Sequence, residues 1–394
     1  MDSVPQEIID EIIDNLPHSN LRSSSLVAKR WRKRSQQRAL DKIWFCSESV
    51  VCRWHTDTQS DPGRIPSYVQ SANFDGITEW EDPLLFNRVL ENFNSLTTLS
   101  IAGDTEIPDE VLERISRGEL CNRITVVSFR SMRSSFVIPM IPAFHNLQTL
   151  FIYDLAPTSR GLPLVHPVPP SRKPLDLLRV AECTNMAVEA LVNLHLASRC
   201  LILDVQTEDV QKLLVLSLVT IIGLELLGAC SLCVNHKSIN DDSVDFPRRA
   251  VSQLIDLPPL PALTSLKIFI TGHDPSPRLI STLSSISSVP ALASIALESW
   301  WEFPSEPNST TWDHLDKWLS RMAENCTVEG GLVLIIKGRR EKPVPDWFLP
   351  AFRKAGKIYT DSFGWIPVAE GLKVLPSNAL TVARTSLTSF WLKE

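Results

Sequence analysis

The segment that decides the fold is VPQEIIDEIIDNLPHSNLRSSSLVAKRWRKRSQQRALDKIWF, residues 4–45. It carries five aliphatic residues at the spacing of one helix face: Ile8, Ile9, Ile12, Ile13 and Leu16. Ser3 with Gln6 fits a capping box at the start of this helix. Pro17 ends it, because the residue before a proline is pushed out of the α region. A first helix is therefore expected between these two signals.

Two more helices are expected in the same segment. Ser19 or Asn20 can cap a second helix. The apolar residues of that helix are Leu21, Leu26 and Val27. A basic third helical run opens at Trp31 and is expected to close with residues 43–45. Three short helices bury little apolar surface by themselves, so the aliphatic stripe needs cover from a partner or from the rest of the chain.

The order and spacing of these residues resemble an F-box. The resemblance rests on residues 4–7 (VPQE), the isoleucine pairs, Leu16, Leu21 and residues 25–31 (SLVAKRW). It covers about the first 45 residues. Small residues at positions 23–25, where other F-boxes have leucines, make it most similar to the fungal versions.

The resemblance implies that the three helices dock on the Skp adaptor of a cullin-based ubiquitin ligase, while the rest of the chain selects a protein substrate. Carried over by position, the adaptor-binding residues are Pro5, Ile8, Ile9, Ile12, Leu16, Leu21, Leu26, Val27 and Trp31. Part of this apolar set can instead pack inside the three helices, since apolar stripes are more often core than interface. That alternative is open for Ile13 and Trp31 in particular.

The composition is that of a globular chain inside the cell. Its 394 residues allow two or three domains, and 44% hydrophobic with 21% charged residues excludes a disordered chain. A net charge of −6 argues against nucleic-acid binding over the whole surface. The eight scattered cysteines indicate reduced thiols, and the acidic N-terminus lacks the basic start of a signal peptide. We expect a cytoplasmic or nuclear protein, or both.

A repeated pattern, aliphatic-x-x-aliphatic-x-aliphatic, begins near residue 96. It occurs at Leu96/Leu99/Ile101, Ile124/Val127/Phe129, Leu147/Leu150/Ile152, Leu175/Leu178/Val180, Leu263/Leu266/Ile268 and Leu292/Ile295/Leu297. The first positions lie about 23 to 29 residues apart, except that the wider gap after Leu175 leaves room for two degenerate units, around 200–205 and 215–226. This spacing is typical of leucine-rich repeats, in which a short strand alternates with a helix or loop. Helices are expected between the strands, at residues 108–116, 186–194, 207–214 and 278–286.

The predicted fold class is therefore α/β, with parallel strands and helices after a helical start. The expected domains are a three-helix F-box at residues 1–46, a linking region at 47–90, an irregular leucine-rich-repeat-like solenoid at 91–300 and a Trp-rich C-terminal region at 301–394. The alternative is a generic α/β sheet in which the leucine spacing arises by chance.

The C-terminal part of the chain is rich in tryptophan, a residue that concentrates at interface hot spots. Four residues there follow helical spacing and are expected in the core: Trp312, Leu315, Leu319 and Met322. Trp300 and Trp301 are adjacent, so one of them is expected to face outward. These two are the candidate substrate contacts.

Three other stretches have weaker functional interpretations. Residues 213–234 are long and apolar enough to span a bilayer, but internal glycines favour a buried strand-rich segment, so no membrane contact is expected. Cys230 and Cys233 with His236 lack a second ligand pair, so no metal is expected. The Pro-rich residues 156–174 are expected to form an exposed loop.

Signatures of catalysis and cofactor binding are missing from the sequence: there is no phosphate-binding glycine loop, nucleophile elbow or zinc-protease motif. We therefore expect a non-catalytic subunit without a cofactor. One alternative is a non-degradative scaffold with a degenerate F-box. Another is a nucleic-acid binder that uses a basic helix face, made of Arg30, Arg34, Arg38 and Lys42.

Overall fold

The computed structural model describes residues 4–59, 65–77, 80–103, 120–155, 173–181, 183–204, 223–228, 260, 262–270, 275, 277–286, 289–299, 310–329, 331–337 and 348–361. The chain divides into two compact units, residues 1–168 and 169–394. Both units combine helices with parallel strands, as the α/β class predicts.

Three helices open the first unit, and they are called the trio below: α1 (Gln6–Asp14), α2 (His18–Val27) and α3 (Lys29–Leu40). The expected side-chain caps are not used. Pro5 precedes α1 and Pro17 precedes α2, neither with a side-chain cap hydrogen bond, while Gln6 donates to the Asp10 carboxylate instead. Helices α1 and α2 therefore each start after a proline whose φ, −56° in both cases, is already fixed near the helical value.

The prediction that residues 43–45 close the third helix is wrong. That helix ends at Leu40, and Lys42–Phe45 form a strand, β1. The segment is rich in aromatic and β-branched residues, which favour strands, and Phe45 stacks on Phe74 of the next strand with ring centroids 4.9 Å apart. Burial of Phe45 against Phe74 therefore favours a strand at residues 42–45, although the residues before them are helical.

Five strands of the first unit pair in parallel, each with the strand before it in the chain: β1, β2 (Ser71–Asp75), β3 (Thr98–Ala102), β4 (Val126–Arg130) and β5 (Thr149–Tyr153). The described helices after the trio are α4 (Glu48–Thr58), α5 (Pro83–Asn92), α6 (Leu120–Arg123) and α7 (Ser134–Met140), with 3-10 turns at Pro66–Tyr68 and Ile141–Ala143. Strand pairing thus begins upstream of residues 91–300, and residues 47–90 contain α4, β2 and most of α5.

Aromatic side chains fill the space between the first strands and α4 and α5. Phe74 contacts Phe86 of α5 with ring centroids 4.8 Å apart, and Trp80 contacts Phe86 at 5.3 Å. The carboxylate of Glu48, in the first turn of α4, accepts hydrogen bonds from the backbone N–H groups of Glu81 and Asp82. The segment leading into α5 is therefore held against α4.

The second unit, taken by itself, is also built of parallel strands and helices. Its described strands are β6 (Leu175–Ala181), β7 (Ser198–Asp204), β8 (Gly223–Gly228), β9 (Ser265–Ile270), β10 (Ser294–Ser299), β11 (Val333–Lys337) and β12 (Lys357–Asp361), and neighbours in the chain pair in parallel. Its described helices are α8 (Asn185–Asn193), α9 (Pro277–Ser285), α10 (Thr310–Glu324) and α11 (Pro350–Ala355). Strands β7 and β8 occupy the gap in which two degenerate units were expected.

The repeated aliphatic positions are core positions. Every residue of the pattern that begins at Leu96 is buried, and the second and third position of each unit lie in a strand. Alternate residues of a strand face the same side, so these positions share one face. Helices α8 and α9 match the ranges 186–194 and 278–286, whereas 108–116 and 207–214 lie outside the described residues.

Helix α10 packs as its spacing predicts. Trp312, Leu315, Leu319 and Met322 are all buried. Trp318 is also buried, and its indole N–H donates to the carbonyl oxygen of Ile286. No helix within the described ranges has the length and hydropathy needed to cross a membrane. Several sequence features lie outside those ranges: Trp300, Trp301, residues 156–172 and 213–222, Cys230, Cys233 and His236.

Candidate docking surface of the N-terminal helices

The isoleucines of α1 face two ways. Ile9 and Ile13 are 4% and 0% exposed, whereas Ile8 and Ile12 are 45% and 43% exposed. Successive residues of a helix are about 100° apart, so adjacent isoleucines in each pair fall on either side of the boundary between core and surface. The aliphatic stripe identified in the sequence therefore contains both core residues and exposed residues.

The inner isoleucines close a small core. Ile9 and Ile13 pack with Leu21 of α2, which is also fully buried. Four partly buried residues lie against them: Val4, Leu16, Trp31 and Ala39. Of the predicted adaptor-binding residues, the structure thus places Ile9 and Leu21 where a partner has no access, and Leu16 and Trp31 at the margin of the core.

The outer apolar residues form what we call the exposed patch: Ile8, Ile12, Leu26 and Val27. Leu26 and Val27, at the end of α2, are the most exposed of the four, at 77% and 60%. Pro5 is exposed as well. Large apolar side chains left exposed to water are a feature of interaction sites.

Polar contacts join the start of α1 to the start of α3. Arg30, at the start of α3, donates to the carbonyl oxygen of Val4 at 2.9 Å. The Gln6 amide donates to the carbonyl oxygen of Arg30 at 3.3 Å. These bonds hold the first turn of α1 beside the α2–α3 junction, directly after Leu26 and Val27.

An ion pair fixes the other end of α1. Arg34 donates two hydrogen bonds to the Asp14 carboxylate, at 2.8 and 2.6 Å, and Arg38 donates to the Asp14 carbonyl oxygen at 3.1 Å. The hydrogen bonds from Arg34 are the main reason that the pKa of Asp14 is lowered from its ordinary value. Arg30, Arg34 and Arg38, the basic face noted in the sequence, are thus turned toward α1.

A pair of serines forms the contact between α2 and α3. Ser24 and Ser35 are buried, and their hydroxyl oxygens are 2.9 Å apart. Ser24 also donates to the carbonyl oxygen of Leu21 at 2.8 Å. Small hydrogen-bonded side chains let the two helices approach closely without an unsatisfied polar group. The contact made by Ser35 was not predicted from the sequence. The feature that could have indicated it is a small polar residue inside a basic helix.

A polar cleft of about 320 Å³ lies between α3 and the 3-10 turn at Pro66–Tyr68. It is lined by Arg34, Gln37, Arg38, Asp41, Ser67, Tyr68 and Gln70. Its two arginines already bind Asp14 and Asp41, so they do not form a site for an external anion. Among the described residues, no group of three or more His, Cys, Asp or Glu side chains is placed to hold a metal ion.

The trio coincides with a known domain. The family model of the F-box domain matches residues 1–42, which take in α1, α2 and α3. This match supports an F-box protein, in agreement with the resemblance carried by the sequence. No curated protein matches the chain. The exposed patch therefore lies within the matched domain.

Proposed function

We propose that this chain is the substrate-recognition adaptor subunit of an SCF-type ubiquitin ligase. It binds the Skp adaptor, and through it a cullin, by the exposed patch, and it holds a protein target on its strand-rich remainder. The observation that carries the proposal is the outward position of Ile8 and Ile12, beside a core that Ile9 and Ile13 already complete, in a segment that matches the F-box domain.

The proposed mechanism is positional and needs no catalytic residue in this chain. Anchoring the target near the ubiquitin donor raises the effective concentration of its lysines there. The free energy of binding to the Skp adaptor comes from burial of the exposed patch, since full burial of a Leu or Ile side chain contributes about 1.5–3 kcal/mol. We place this function in the cytoplasm, the nucleus or both.

The strands after the trio are proposed to form an irregular leucine-rich-repeat-like solenoid. Three observations support this: neighbours pair in parallel in chain order, the strands of the first unit begin at residues 42, 71, 98, 126 and 149, and the repeated aliphatic positions are buried. We also propose that the F-box is of the fungal type, from the serines at 23–25.

The target is proposed to dock on the sheet face opposite the core. In the first unit, strand register aligns one row of outward residues across that face: Trp44, Asn73, Ser100, Ser128 and Phe151. None of these side chains is fully buried, and Trp44 is 54% exposed. Trp300 and Trp301, which directly follow β10 in the sequence, remain the second candidate for substrate contact.

Binding of the full-length chain to purified Skp adaptor tests the proposal by calorimetry. The double variant Ile8→Asp with Leu26→Asp places two charges in the exposed patch and should abolish binding, because burying an unpaired charge is strongly unfavourable. The matched control, Asn20→Asp with Lys33→Asp, changes two exposed polar positions of the trio and should bind as the wild type does. Circular dichroism checks that all three proteins keep their helix content.

The other outcomes separate the alternatives. If the double variant binds as tightly as the wild type, the adaptor does not use this patch. If the folded wild-type chain does not bind, the scaffold alternative with a degenerate F-box replaces the adaptor. No observation favours the nucleic-acid alternative, because three residues of the basic face, Arg30, Arg34 and Arg38, bond to α1 or to Asp41.

A further inference from the structure

We propose that Ser25 is a phosphorylation site that switches off docking at the exposed patch. This inference rests on the proposed adaptor function, and it adds the regulation of that same surface. Ser25 is the residue directly before Leu26 and Val27, the most exposed apolar side chains of the trio. A charge added there changes the surface that a partner has to cover.

The sequence around Ser25 contains a charge pattern that kinases recognise. Arg22 stands three residues before Ser25 and is exposed, and Leu26 follows it. Kinases distinguish substrates by charge patterns of this kind. An arginine three residues before the serine suits those kinases that carry acidic side chains beside the substrate-binding channel. Ser25 itself is partly exposed, and its hydroxyl bonds only locally, to the carbonyl oxygen of Arg22 at 2.6 Å.

Burial distinguishes Ser25 from the similar serine on α3. Ser35 also has an arginine three residues before it, Arg32. Ser35, however, is 0% exposed and bonded to Ser24 between the helices. A kinase can reach Ser25 by opening one helix end, but it can reach Ser35 only by separating α2 from α3.

Only the residues after Ser24, which is itself bonded to Ser35, need to open to present Ser25. This end of α2 has few features that stabilise a helix end, because it has no basic residue in its last turn and Ala28 after it is already extended. Three consecutive serines add no helix preference, because serine is less favourable than alanine in a helix. Local opening of such an end requires far less free energy than global unfolding.

The chemistry is an ordinary phosphoryl transfer from ATP. The Ser25 hydroxyl oxygen forms a bond to the γ-phosphorus, the bond from that phosphorus to the β–γ bridging oxygen breaks, ADP leaves, and the hydroxyl proton passes to the catalytic base of the kinase. The product carries a charge of about −1.5 to −2 at pH 7. That charge lies at a helix C-terminus, where the helix dipole opposes it, and next to apolar side chains that docking has to desolvate.

Cations near Ser25 do not cancel this effect. Arg22 and Lys29 lie within reach along the chain and are exposed, so a phosphate can pair with them in water. Such surface pairs are weak, and the pair itself would have to be desolvated beside Leu26 when the adaptor docks. Phosphorylation is therefore expected to weaken docking.

The first experiment is phosphate mapping on the full-length chain. The chain is incubated with the catalytic domain of an arginine-directed serine/threonine kinase and MgATP, and phosphopeptides are identified by mass spectrometry. Phosphate is expected on Ser25 and not on Ser35, with reduced incorporation at Ser25 in the Arg22→Ala variant. Absence of phosphate from Ser25 would overturn the inference even if the adaptor binds.

The second experiment measures affinity for purified Skp adaptor. Phosphorylated chain and the Ser25→Glu variant are expected to bind at least about tenfold more weakly than unmodified chain. Ser25→Ala should bind normally, as should Ser19→Glu, which puts the same charge in the first turn of α2. Phosphatase treatment should restore binding, which it would not do if the chain had simply unfolded.

The outcomes separate the two proposals. Equal affinity of Ser25→Glu and wild type overturns the phosphorylation switch and leaves the adaptor function standing. Failure of the unmodified chain to bind the adaptor overturns both.

Discussion

Ile12 and Ile13 are chemically identical neighbours, yet only Ile13 is enclosed by the trio. Removing the side chain beyond Cβ at Ile13 leaves a cavity among Ile9, Leu21 and the residues around them. The same change at Ile12 removes atoms that are largely in water. Folding and the proposed docking thus depend on adjacent residues of one type.

This assignment predicts opposite effects for two matched variants. Ile13→Ala should lower the free energy of unfolding by about 2–5 kcal/mol, the usual range for such a core truncation. Ile12→Ala should change stability by less than about 0.5 kcal/mol but weaken Skp adaptor binding. Hydrogen exchange of the α1 amides, together with denaturant unfolding of the full-length chain, measures the first effect, and calorimetry measures the second. Equal stability of the two variants would contradict the described core.

Asp14 makes the trio sensitive to acid. The folded protein lowers the pKa of this carboxyl below its ordinary value of 3.8, chiefly through the hydrogen bonds from Arg34. A depressed folded-state pKa stabilises the protein above the unfolded value, and this stabilisation is lost as the pH falls through the folded pKa. Both side chains are more than a third exposed, so the effect is small, about 1 kcal/mol or less.

The variant Asp14→Asn tests this point. At pH 7 it should be less stable than the wild type by up to about 1 kcal/mol, and the difference should shrink below about pH 4. Thermal unfolding followed across that pH range provides the measurement. Glu11→Gln, which removes the charge of an exposed carboxylate of the same helix, serves as the control. A difference that does not depend on pH would show that the ion pair is not its cause.

Among the elements, α11 depends on a residue of another helix. Asp316 of α10 is 7% exposed, and its carboxylate accepts hydrogen bonds from the backbone N–H groups of Ala351 and Phe352, at 2.9 and 2.8 Å. These N–H groups have no partner within α11, as at any helix N-terminus. Leu349, which precedes α11, has a φ of 52°, so the entry to this helix is itself strained.

Loss of this cap should therefore be costly. Asp316→Ala leaves two N–H groups of α11 without their acceptor and is expected to lower the free energy of unfolding by about 1–3 kcal/mol. Lys317→Ala, at an exposed position in the middle of the same helix, should have little effect. Denaturant unfolding compares the two variants, and similar losses in both would mean that α11 is not held by Asp316.

The elements also show how far the sequence could be interpreted. Spacing alone predicted the apolar stripe of α1, the buried leucines of the strands and the packed face of α10, because each depends on local periodicity. Strand β1 was missed, since its stability comes from Phe74, 29 residues away. The division between Ile8 and Ile9 was missed as well, because the position of Leu21 decides which of them is covered.

Over the first unit as a whole, the proposed docking module is joined to the sheet without a linker. Asp41 alone separates α3 from β1, and its carbonyl oxygen accepts hydrogen bonds from the N–H groups of Gln70 and Ser71, at 2.9 and 2.8 Å. Arg38 of α3 binds the Asp41 carboxylate at 3.2 Å. The orientation of the trio relative to β1 and β2 is therefore fixed by the backbone.

A flexible insertion should uncouple the two parts. Placing Gly-Ser-Gly-Ser between Leu40 and Asp41 is expected to speed hydrogen exchange at Gln70 and Ser71, because their acceptor is no longer held in place. Skp adaptor affinity should remain unchanged, since the exposed patch is intact. The same insertion between Gln59 and Ser60, after α4, is the control. Unchanged exchange at both amides would contradict a rigid joint.

In each unit the order of strands in space repeats the order of synthesis. Within each unit, every described strand after the first pairs with the strand made just before it, so it does not have to wait for a distant part of the chain. A nascent chain that leaves the ribosome N-terminus first can add one strand at a time to a surface that already exists. Growth in this manner extends the sheet at one end only and leaves no completed strand without a partner, which limits the opportunity for aggregation during translation.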